Sequence, residues 1–202
     1  MKNNKIGLFF GSFNPIHIGH LAIANYLVEY SEIDQLWFVV SPCSPFKKKN
    51  KMLEDYHRVH LVQCAVENDT RFRVCDIELK LPKPSYTIDT LTYLHEAYPD
   101  KEFYIIMGSD NLKSIDKWKN YEIILKNYFI LVYPRIDYDV YIEDYPSARI
   151  QILRAPIMEI SSSFIRRAIA DGKDVRYFLF PDVYKYIDEM NFYKKPFQKK
   201  TD

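Results

Sequence analysis

Apolar runs and amphipathic segments alternate along most of the chain. The runs LWFVV, FYIIM and YFILVY are almost continuously apolar, which is typical of strands buried on both faces of a sheet. Strands are predicted at residues 6–10, 36–41, 72–75, 103–107, 128–133 and 150–153. Helices are predicted at residues 20–30, 55–67, 87–97, 109–115, 121–126, 162–170 and 182–190. This alternation predicts βαβ units and therefore an α/β fold with a doubly wound parallel sheet.

Length and composition favour a single domain with a substantial hydrophobic core. The 202 residues are 48% hydrophobic and 27% charged, and the net charge is +1. So small a net charge argues against a broad surface for nucleic acid or for an anionic membrane. We predict one domain at residues 1–194, with a small helical C-terminal part at about residues 160–194, and a disordered basic tail at residues 195–202.

Cysteine usage bears on the compartment. Cys43, Cys64 and Cys75 form no C-x-x-C pair, which favours reduced thiols and a cytoplasmic location over a disulfide framework or a zinc ribbon. The first apolar run is too short for a signal peptide, and no run approaches the length of a membrane span. We expect no nucleic-acid or membrane partner. The oligomeric state stays open, with a homodimer as one alternative.

Unusual residues follow several predicted strands, at the edge where open parallel sheets bind ligands. These segments are residues 11–20, 41–51, 108–110 and 133–135. In the first, GSFNPIHIGH, Gly11 would permit close approach to the backbone, and the following helix offers free N–H groups to an anion. His17 and His20 share one face of the first turn, where imidazoles with partial positive charge near neutral pH can donate to phosphate oxygens.

The histidine pair also admits a structural role or a metal-binding role. In the structural role, one ring caps the helix while the other packs in the core. In the metal-binding role, two pairs of histidines at i, i+3 spacing assemble a metal site for hydrolysis. These pairs are His17, His20, His57 and His60.

Three serines open a helix late in the chain, in EISSSFIRRAIADGK. Ser161, Ser162 and Ser163 bring hydroxyl and N–H groups to one helix N-terminus, and Arg166 can lean over the same face. Hydroxyls, a helix N-terminus and a guanidinium together suit a polyphosphate. Taken alone, the pattern more often marks an ordinary serine cap.

Together these motifs resemble those of a known family. GSFNPIHIGH is similar to the G-[GST]-F-[DN]-P-x-H-x-G-H signature of the nucleotidyltransferase superfamily, and ISSSFIR to its I-S-S-[ST]-x-I-R motif. PSYTIDTL, IIMGSDNL and DKWKNYEIIL resemble segments of the bacterial nicotinate-nucleotide adenylyltransferases, and the likeness spans nearly all of the chain. It implies a Rossmann-like fold and adenylyl transfer from ATP to nicotinate mononucleotide, which gives deamido-NAD and pyrophosphate in NAD biosynthesis.

The resemblance also implies roles for individual residues. Neutralising phosphate charge during catalysis is assigned to His17, His20, Lys47 and Arg166. ATP binding is assigned to Gly11, Ser12, Phe13, Gly19, Gly108, Asp110, Ile160, Ser161, Ser162 and Ser163. Binding of nicotinate mononucleotide is assigned to Asn14, Ser85, Tyr86, Thr87, Trp118 and Lys119. Trp118 would stack on the pyridine ring, and main-chain N–H groups near Thr87 and Lys119 would hold its carboxylate.

Purely structural roles and weaker candidates accompany these assignments. Trp118 can instead be a packed core residue, and Asp110 can instead serve a helix N-terminus. Arg58 and Arg135 are weaker candidates for phosphate contacts. Relatives often have PPHK where this chain has SPFK, so Phe46 replaces a polar ring there.

The expected chemistry requires no base–nucleophile pair, because a phosphate monoester is already mostly dianionic at neutral pH. Mg²⁺ is the expected cofactor, and it would be bound mainly by phosphate oxygens and water, without protein ligands. Two rivals remain besides the metal site. One is a nucleotide sensor that binds ATP without turnover, and the other is the same chemistry on nicotinamide mononucleotide or another phosphate.

Overall fold

The computed structural model describes residues 4–42 and 52–195. The strands in these stretches are β1 (Lys5–Gly11), β2 (Gln35–Val40), β3 (Phe72–Cys75), β4 (Glu102–Gly108), β5 (Phe129–Tyr133) and β6 (Arg149–Ile152). The α-helices are α1 (Ile18–Tyr30), α2 (Asp55–Val66), α3 (Ile77–Lys80), α4 (Thr87–Ala97), α5 (Ser109–Leu112), α6 (Tyr121–Asn127), α7 (Ser162–Ala170) and α8 (Pro181–Glu189). These elements follow the predicted alternation of strands and helices.

The strands form one sheet in the order β3-β2-β1-β4-β5-β6, and every neighbouring pair is parallel. The chain therefore builds outward from β1 to one edge, returns to the centre and builds outward to the other edge. Between β1 and β4 the connections leave in opposite directions. Such a switch point opens a crevice at the carboxyl ends of the strands. The predicted Rossmann-like, doubly wound sheet is confirmed.

Helices cover both faces of the sheet, which explains the continuously apolar strands. On one face, Phe9 and Phe38 pack with α1, α2, α7 and α8. On the other, Leu8 and Trp37 pack with α4 and α6. The C-terminal helices bury Ile165 of α7 in the first of these cores. The C-terminal part is therefore continuous with the core of the single domain.

The structure differs from the prediction in small elements. The fourth predicted helix, at residues 109–115, ends at Leu112 as α5, and a 3₁₀ turn follows at Ile115–Lys117. The hydroxyl of Ser114 donates to the carbonyls of Asp110 and Asn111, at 3.2 Å each, and so competes with helix continuation. The single-turn helix α3 was not predicted, because four residues are too few to show a helical period.

Some predictions lie outside the described residues. These are the placements of Lys47, Phe46 and Cys43, together with nearly all of the basic tail. Within the described residues, no helix combines the length and the apolar character needed to cross a bilayer.

Candidate functional site

The predicted site residues gather at the carboxyl ends of β1, β4 and β5, on either side of the switch point. We call residues 11–20, which follow β1, the histidine turn. Residues 84–89 and 118–119, which surround the start of α4 and the segment before α6, are called the tryptophan edge. The two regions frame the crevice and are built differently.

Phe13 shapes the histidine turn from within. It has a φ of 42°, and its ring is buried, with 1% of its surface exposed. A Cβ added to Gly11 would lie 2.8 Å from this ring, so the glycine is required by Phe13. The ring packs beneath the turn, edge-on to His20 at 5.2 Å, so any contact of Gly11 and Phe13 with the nucleotide would be made by their backbones, and it stays a prediction.

The two histidines are stacked at the start of α1. His17 is the N-cap residue, and its backbone N–H donates to Nδ1 of His20 at 3.2 Å. The ring centroids lie 3.7 Å apart. Because Nδ1 of His20 accepts this bond, a neutral His20 carries its proton on Nε2, which is then a donor. The backbone of the turn therefore selects the tautomer of His20.

Both imidazoles are neutral at pH 7 in the protein without ligand. Burial, reinforced by the positive charge of Arg135, lowers the pKa of His17 to about 4. Burial also lowers the pKa of His20 well below its ordinary value, with smaller contributions from His17 and Arg135. This corrects the expected partial positive charge. A bound anion would favour the protonated rings and raise both pKa values.

Three buried polar atoms at the crevice have no hydrogen-bond partner among the described residues. They are Nδ1 of His17, Oδ1 of Asp110 and Nε of Arg135. Buried polar atoms are nearly always paired in folded proteins, and an unpaired one costs about 1–3 kcal/mol. Each of the three follows a different strand of the sheet centre. Their convergence indicates a polar ligand that supplies the missing partners.

Asp110 and Arg135 face each other across the ends of β4 and β5. Nε of Arg135 lies 3.9 Å from Oδ1 of Asp110, and its guanidinium stacks on Tyr133 at 5.1 Å. The backbone N–H of Arg135 donates to Ser109 at 3.0 Å. A Cβ on Gly108 would lie 2.3 Å from Oδ1 of Asp110, so a larger residue there would displace this carboxylate from its position facing Arg135. Arg135 received little weight from the sequence, although its place directly after a buried strand was the available signal.

Arg58 does not contact the crevice as a phosphate ligand would. It is fully buried, and Nη1 donates to the carbonyls of Ser12 at 2.6 Å and Ser41 at 2.8 Å. Its other nitrogens donate to the carbonyl of Leu53 and to the carboxylate of Asp55. The weak prediction of a phosphate contact is therefore wrong. Arg58 instead joins the loops after β1 and β2 to the start of α2.

The start of α7 docks on the histidine turn. Ser161 caps the helix by accepting from the N–H of Phe164, and the hydroxyl of Ser162 donates to the carbonyl of Pro15 at 2.8 Å. Ile160 packs near Gly19, with its Cβ 3.6 Å from where a Cβ on that glycine would stand. The two motifs at opposite ends of the chain are therefore in contact.

Arg166 and Asn14 connect this helix to the turn. Nη1 of Arg166 donates to the carbonyl of Asn14 at 2.7 Å, and Nη2 donates to Ser163 at 3.0 Å. The side-chain oxygen of Asn14 accepts from the N–H of Leu53 and from the hydroxyl of Tyr193, at 3.2 and 2.7 Å. Asn14 is buried, so its oxygen serves the fold of the turn, and its contact with a mononucleotide stays a prediction.

The tryptophan edge is more open. Thr87 is the first residue of α4, whose first N–H groups have no intrahelical partner, and the partly buried Ser85 precedes it. Lys119 pairs with Asp89 at 2.9 Å and lies 4.8 Å from the ring of Tyr86. Trp118 is half-buried against the second core, as a packing role requires, and the stacking of its ring on a ligand stays a prediction.

The remaining histidines of the predicted metal site point elsewhere. Nδ1 of His57 lies 2.8 Å from the hydroxyl of Tyr186 on α8, and Nε2 of His60 lies 3.5 Å from the thiol of Cys64. In residues 4–42 and 52–195, no group of three or more His, Cys, Asp or Glu side chains could hold a metal ion. The described residues thus offer no support for the four-histidine metal site.

Comparison with known proteins agrees with the motifs. The Cytidylyltransferase-like family model matches residues 8–168. A protein of Flavobacterium psychrophilum described as a probable nicotinate-nucleotide adenylyltransferase is 53% identical over 95% of this chain and 100% of its own length. One from Bacteroides thetaiotaomicron with the same description is 50% identical over 92% and 91%. Nicotinic acid mononucleotide adenylyltransferase of Plasmodium falciparum, solved in complex with NaAD, has the same fold, with a TM-score of 0.77 at 20% identity over 94% and 97%.

Proposed function

The chain belongs to the Cytidylyltransferase-like family and, within it, to the nicotinate-nucleotide adenylyltransferases, and we propose that the crevice described above is where it performs their reaction. It is an enzyme that transfers the adenylyl group of ATP to nicotinate mononucleotide in NAD biosynthesis. A phosphate oxygen of the mononucleotide forms a bond to the α-phosphorus. The bond from that phosphorus to the bridging oxygen breaks, and its electron pair leaves with pyrophosphate.

The observation that carries the assignment of the site is the set of three unpartnered buried atoms on His17, Asp110 and Arg135. A nucleoside triphosphate brings anionic oxygens for imidazole and guanidinium donors and hydroxyls for a carboxylate acceptor. We assign His17 and His20 to the phosphates, and Asp110 with Arg135 to the ribose or the adjoining phosphate. The start of α7 adds Ser162, Ser163 and Arg166 beside the same turn.

The catalytic contribution of these groups is alignment and neutralisation. Two polyanions must approach in line, and negative charge moves onto the departing pyrophosphate. Nε2–H of His20 is a fixed donor because its tautomer is set by the backbone. Neutral rings also avoid the cost of burying two unpaired charges before ATP binds. The family role of Lys47 is retained as part of this proposal.

We also propose Mg²⁺ as the cofactor. The donor set fits weak protein ligation, because Asp110 is the only carboxylate among the described residues that we place at the crevice. The ion would be held by phosphate oxygens and water, with Asp110 as the nearest candidate carboxylate, and it would supply charge neutralisation when bound.

The acceptor is proposed to bind along the tryptophan edge. The free N–H groups at the start of α4 near Thr87, together with that of Lys119, would donate to the nicotinate carboxylate, and Trp118 would stack on the pyridinium. Backbone N–H donors can pair with both oxygens of a carboxylate, but they face the NH₂ donor of a carboxamide, so the site favours the acid over the amide.

The unpaired thiols of Cys64 and Cys75 support a reducing, cytoplasmic location.

Pyrophosphate release with ATP and Mg²⁺ tests the proposal. Purified protein would be given nicotinate mononucleotide, nicotinamide mononucleotide or phosphopantetheine in parallel. We expect rapid release with the first and much slower release with the other two. Equal release with the amide would contradict the carboxylate site, and absence of release from folded protein that still binds ATP would indicate a sensor.

A further inference from the structure

A cavity of about 620 Å³ lies beside α7, outside the crevice already described. One wall is the face of α7 that carries Ser163, Arg166, Arg167 and Ala170, which recur at i, i+3, i+4 and i+7. The other walls are residues 52–53 and 193–194. Ile165 points away from this cavity into the core. The basic face of α7 therefore covers a second space.

The described lining of this cavity carries three cations and no carboxylate: Arg166, Arg167 and Lys194. The charge of Lys194 is balanced, because its Nζ lies 2.8 Å from Oδ1 of Asp188. Arg167 forms no ion pair with any described residue. Asp171, the acid directly after α7, is paired with Lys195 at 2.7 Å. Positive charge is therefore in excess along α7, on Arg166 and Arg167.

The cavity adjoins the phosphate end of the crevice through shared residues. Arg166 lines the cavity and also donates to the carbonyl of Asn14 in the histidine turn. Tyr193 lines it and donates to the side chain of the same residue. An anion that reached from the turn past Arg166 would next meet Arg167. Because both guanidinium-bearing residues line this one cavity, they suit an anion with two charged groups.

We propose that Arg167 forms a subsite for the pyrophosphate group, both as the terminal part of ATP and as the product. This inference rests on the proposed function. Its ligand class is a diphosphate, because a guanidinium fork pairs with phosphoryl oxygens and because one phosphate would already be matched by Arg166. Arg167 follows the family motif ISSSFIR and lies outside it.

The test compares pyrophosphate binding in the wild type and in Arg167→Gln. Glutamine keeps a similar helix propensity, and Arg167 is exposed, so the variant is expected to fold. Calorimetric titration with magnesium pyrophosphate should show a dissociation constant raised about tenfold, the loss typical of one hydrogen bond to a charged group. Orthophosphate, which engages one subsite, should show a smaller change. Because titration needs no turnover, it remains informative if the adenylyl-transfer assay fails.

The reverse reaction adds a kinetic readout. With deamido-NAD and pyrophosphate as substrates, Arg167→Gln should raise KM for pyrophosphate, while KM for nicotinate mononucleotide in the forward direction stays unchanged. Arg167→Lys should restore part of the loss. Lys185→Gln, which removes an exposed charge from α8 away from the cavity, is the matched control. Unchanged pyrophosphate affinity in Arg167→Gln, or an equal loss in Lys185→Gln, would overturn the proposal.

Discussion

The histidine turn and the tryptophan edge meet at one end of the sheet, yet contacts of different range hold them in place. The turn is fixed by hydrogen bonds from Arg58, Ser162, Arg166 and Tyr193, which lie 46 to 179 residues away in sequence. At the edge, Lys119 joins residues of α4 and its start through an ion pair with Asp89, whose side chains are 43% and 41% exposed, and through its contact with the ring of Tyr86. Exposed pairs of this kind contribute about 0–1 kcal/mol.

This difference suits the two tasks of the site, which are group transfer at the histidine turn and recognition of the mononucleotide at the tryptophan edge. Charge stabilisation during phosphoryl-type transfer depends on donors that do not need to reorganise, so a rigid turn favours kcat. Recognition of a flat ring and a carboxylate requires an apolar contact surface and a few hydrogen-bond donors, and an open edge can supply both. We therefore expect substitutions at the turn to reduce kcat and substitutions at the edge to raise KM for the mononucleotide.

The largest effect is expected at the turn, from His20→Ala. It removes a fixed Nε2–H donor, and loss of one such donor lowers kcat by about 100- to 1,000-fold. The protein should remain folded, because α1 still packs Ile23, Ala24 and Leu27 in the core. His60→Ala, which removes an exposed imidazole on α2, is the control for turnover and for circular dichroism. Near-normal kcat in folded His20→Ala would contradict the phosphate role.

Arg58→Met tests what makes the turn rigid. The variant leaves the carbonyls of Ser12 and Ser41 without their buried donor, so we expect a loss of about 3 kcal/mol in unfolding free energy, measured by urea denaturation. The control is Arg71→Met, because Arg71 also makes several polar contacts but is 37% exposed. Its expected cost is below about 1 kcal/mol. Equal losses of unfolding free energy in the two variants would show that the buried hydrogen bonds of Arg58 stabilise the protein no more than the surface contacts of Arg71.

The sequence was sufficient for the parts of the molecule whose signal is local. Continuous apolar runs identified the strands, and glycine, proline and histidine marked the turn where the sheet opens. Arg58 shows why other parts were missed. In YHRVHL it resembles any charged residue on a helix. Apart from Asp55, its partners are backbone carbonyls, which every residue type carries and which the sequence therefore does not reveal.

The link between Asn14 and Tyr193 was unpredictable for a similar reason. The two residues are 179 positions apart, and neither pattern nor spacing relates them. The protonation of His17 likewise depends on burial and on Arg135, which only the folded chain brings near. Sequence motifs therefore predicted which residues gather at the carboxyl ends of the strands, whereas the rigidity and the charge state of this region depend on tertiary contacts.

The low pKa of His17 makes the stability of the turn depend on pH. The pKa of His17 is depressed in the folded protein and ordinary in the unfolded chain, so the unfolded state binds more protons between the folded value of about 4 and the unfolded value of 6.5. Stability should fall as pH falls through this window, with a contribution of about 2 kcal/mol at pH 5. The melting temperature should therefore fall less between pH 7.5 and pH 4.5 in His17→Gln than in the wild type. An equal fall of the melting temperature in the two proteins would show that His17 is not buried as a neutral ring.

Tyr193→Phe asks whether the rigid region extends to the C-terminal segment. The variant keeps the ring and removes one donor to Asn14, which retains its bond from Leu53. We expect a loss of about 1 kcal/mol in unfolding free energy and a severalfold rise in KM for ATP, with KM for the mononucleotide unchanged. Tyr177→Phe, at a residue that is 86% exposed, is the matched control. A loss of unfolding free energy with an unchanged KM for ATP would show that Tyr193 stabilises the fold and does not contribute to ATP binding.

Trp118→Ala is expected to have the smallest effect and tests the open edge. Loss of stacking on a cationic ring is worth about 1 kcal/mol, so KM for nicotinate mononucleotide should rise about fivefold while kcat changes little. Tyr86→Leu, which removes the exposed ring beside Lys119, is the control. A smaller rise in KM in this variant would show that the effect of Trp118→Ala comes from direct stacking and not from a general loss of aromatic surface. Because nicotinamide mononucleotide carries the same cationic ring, its KM should rise by the same factor, and the preference for the acid should persist. A selective loss for the acid would instead mean that Trp118 positions the N–H groups that bind the carboxylate, and an effect mainly on kcat would show that the edge is as preorganised as the turn.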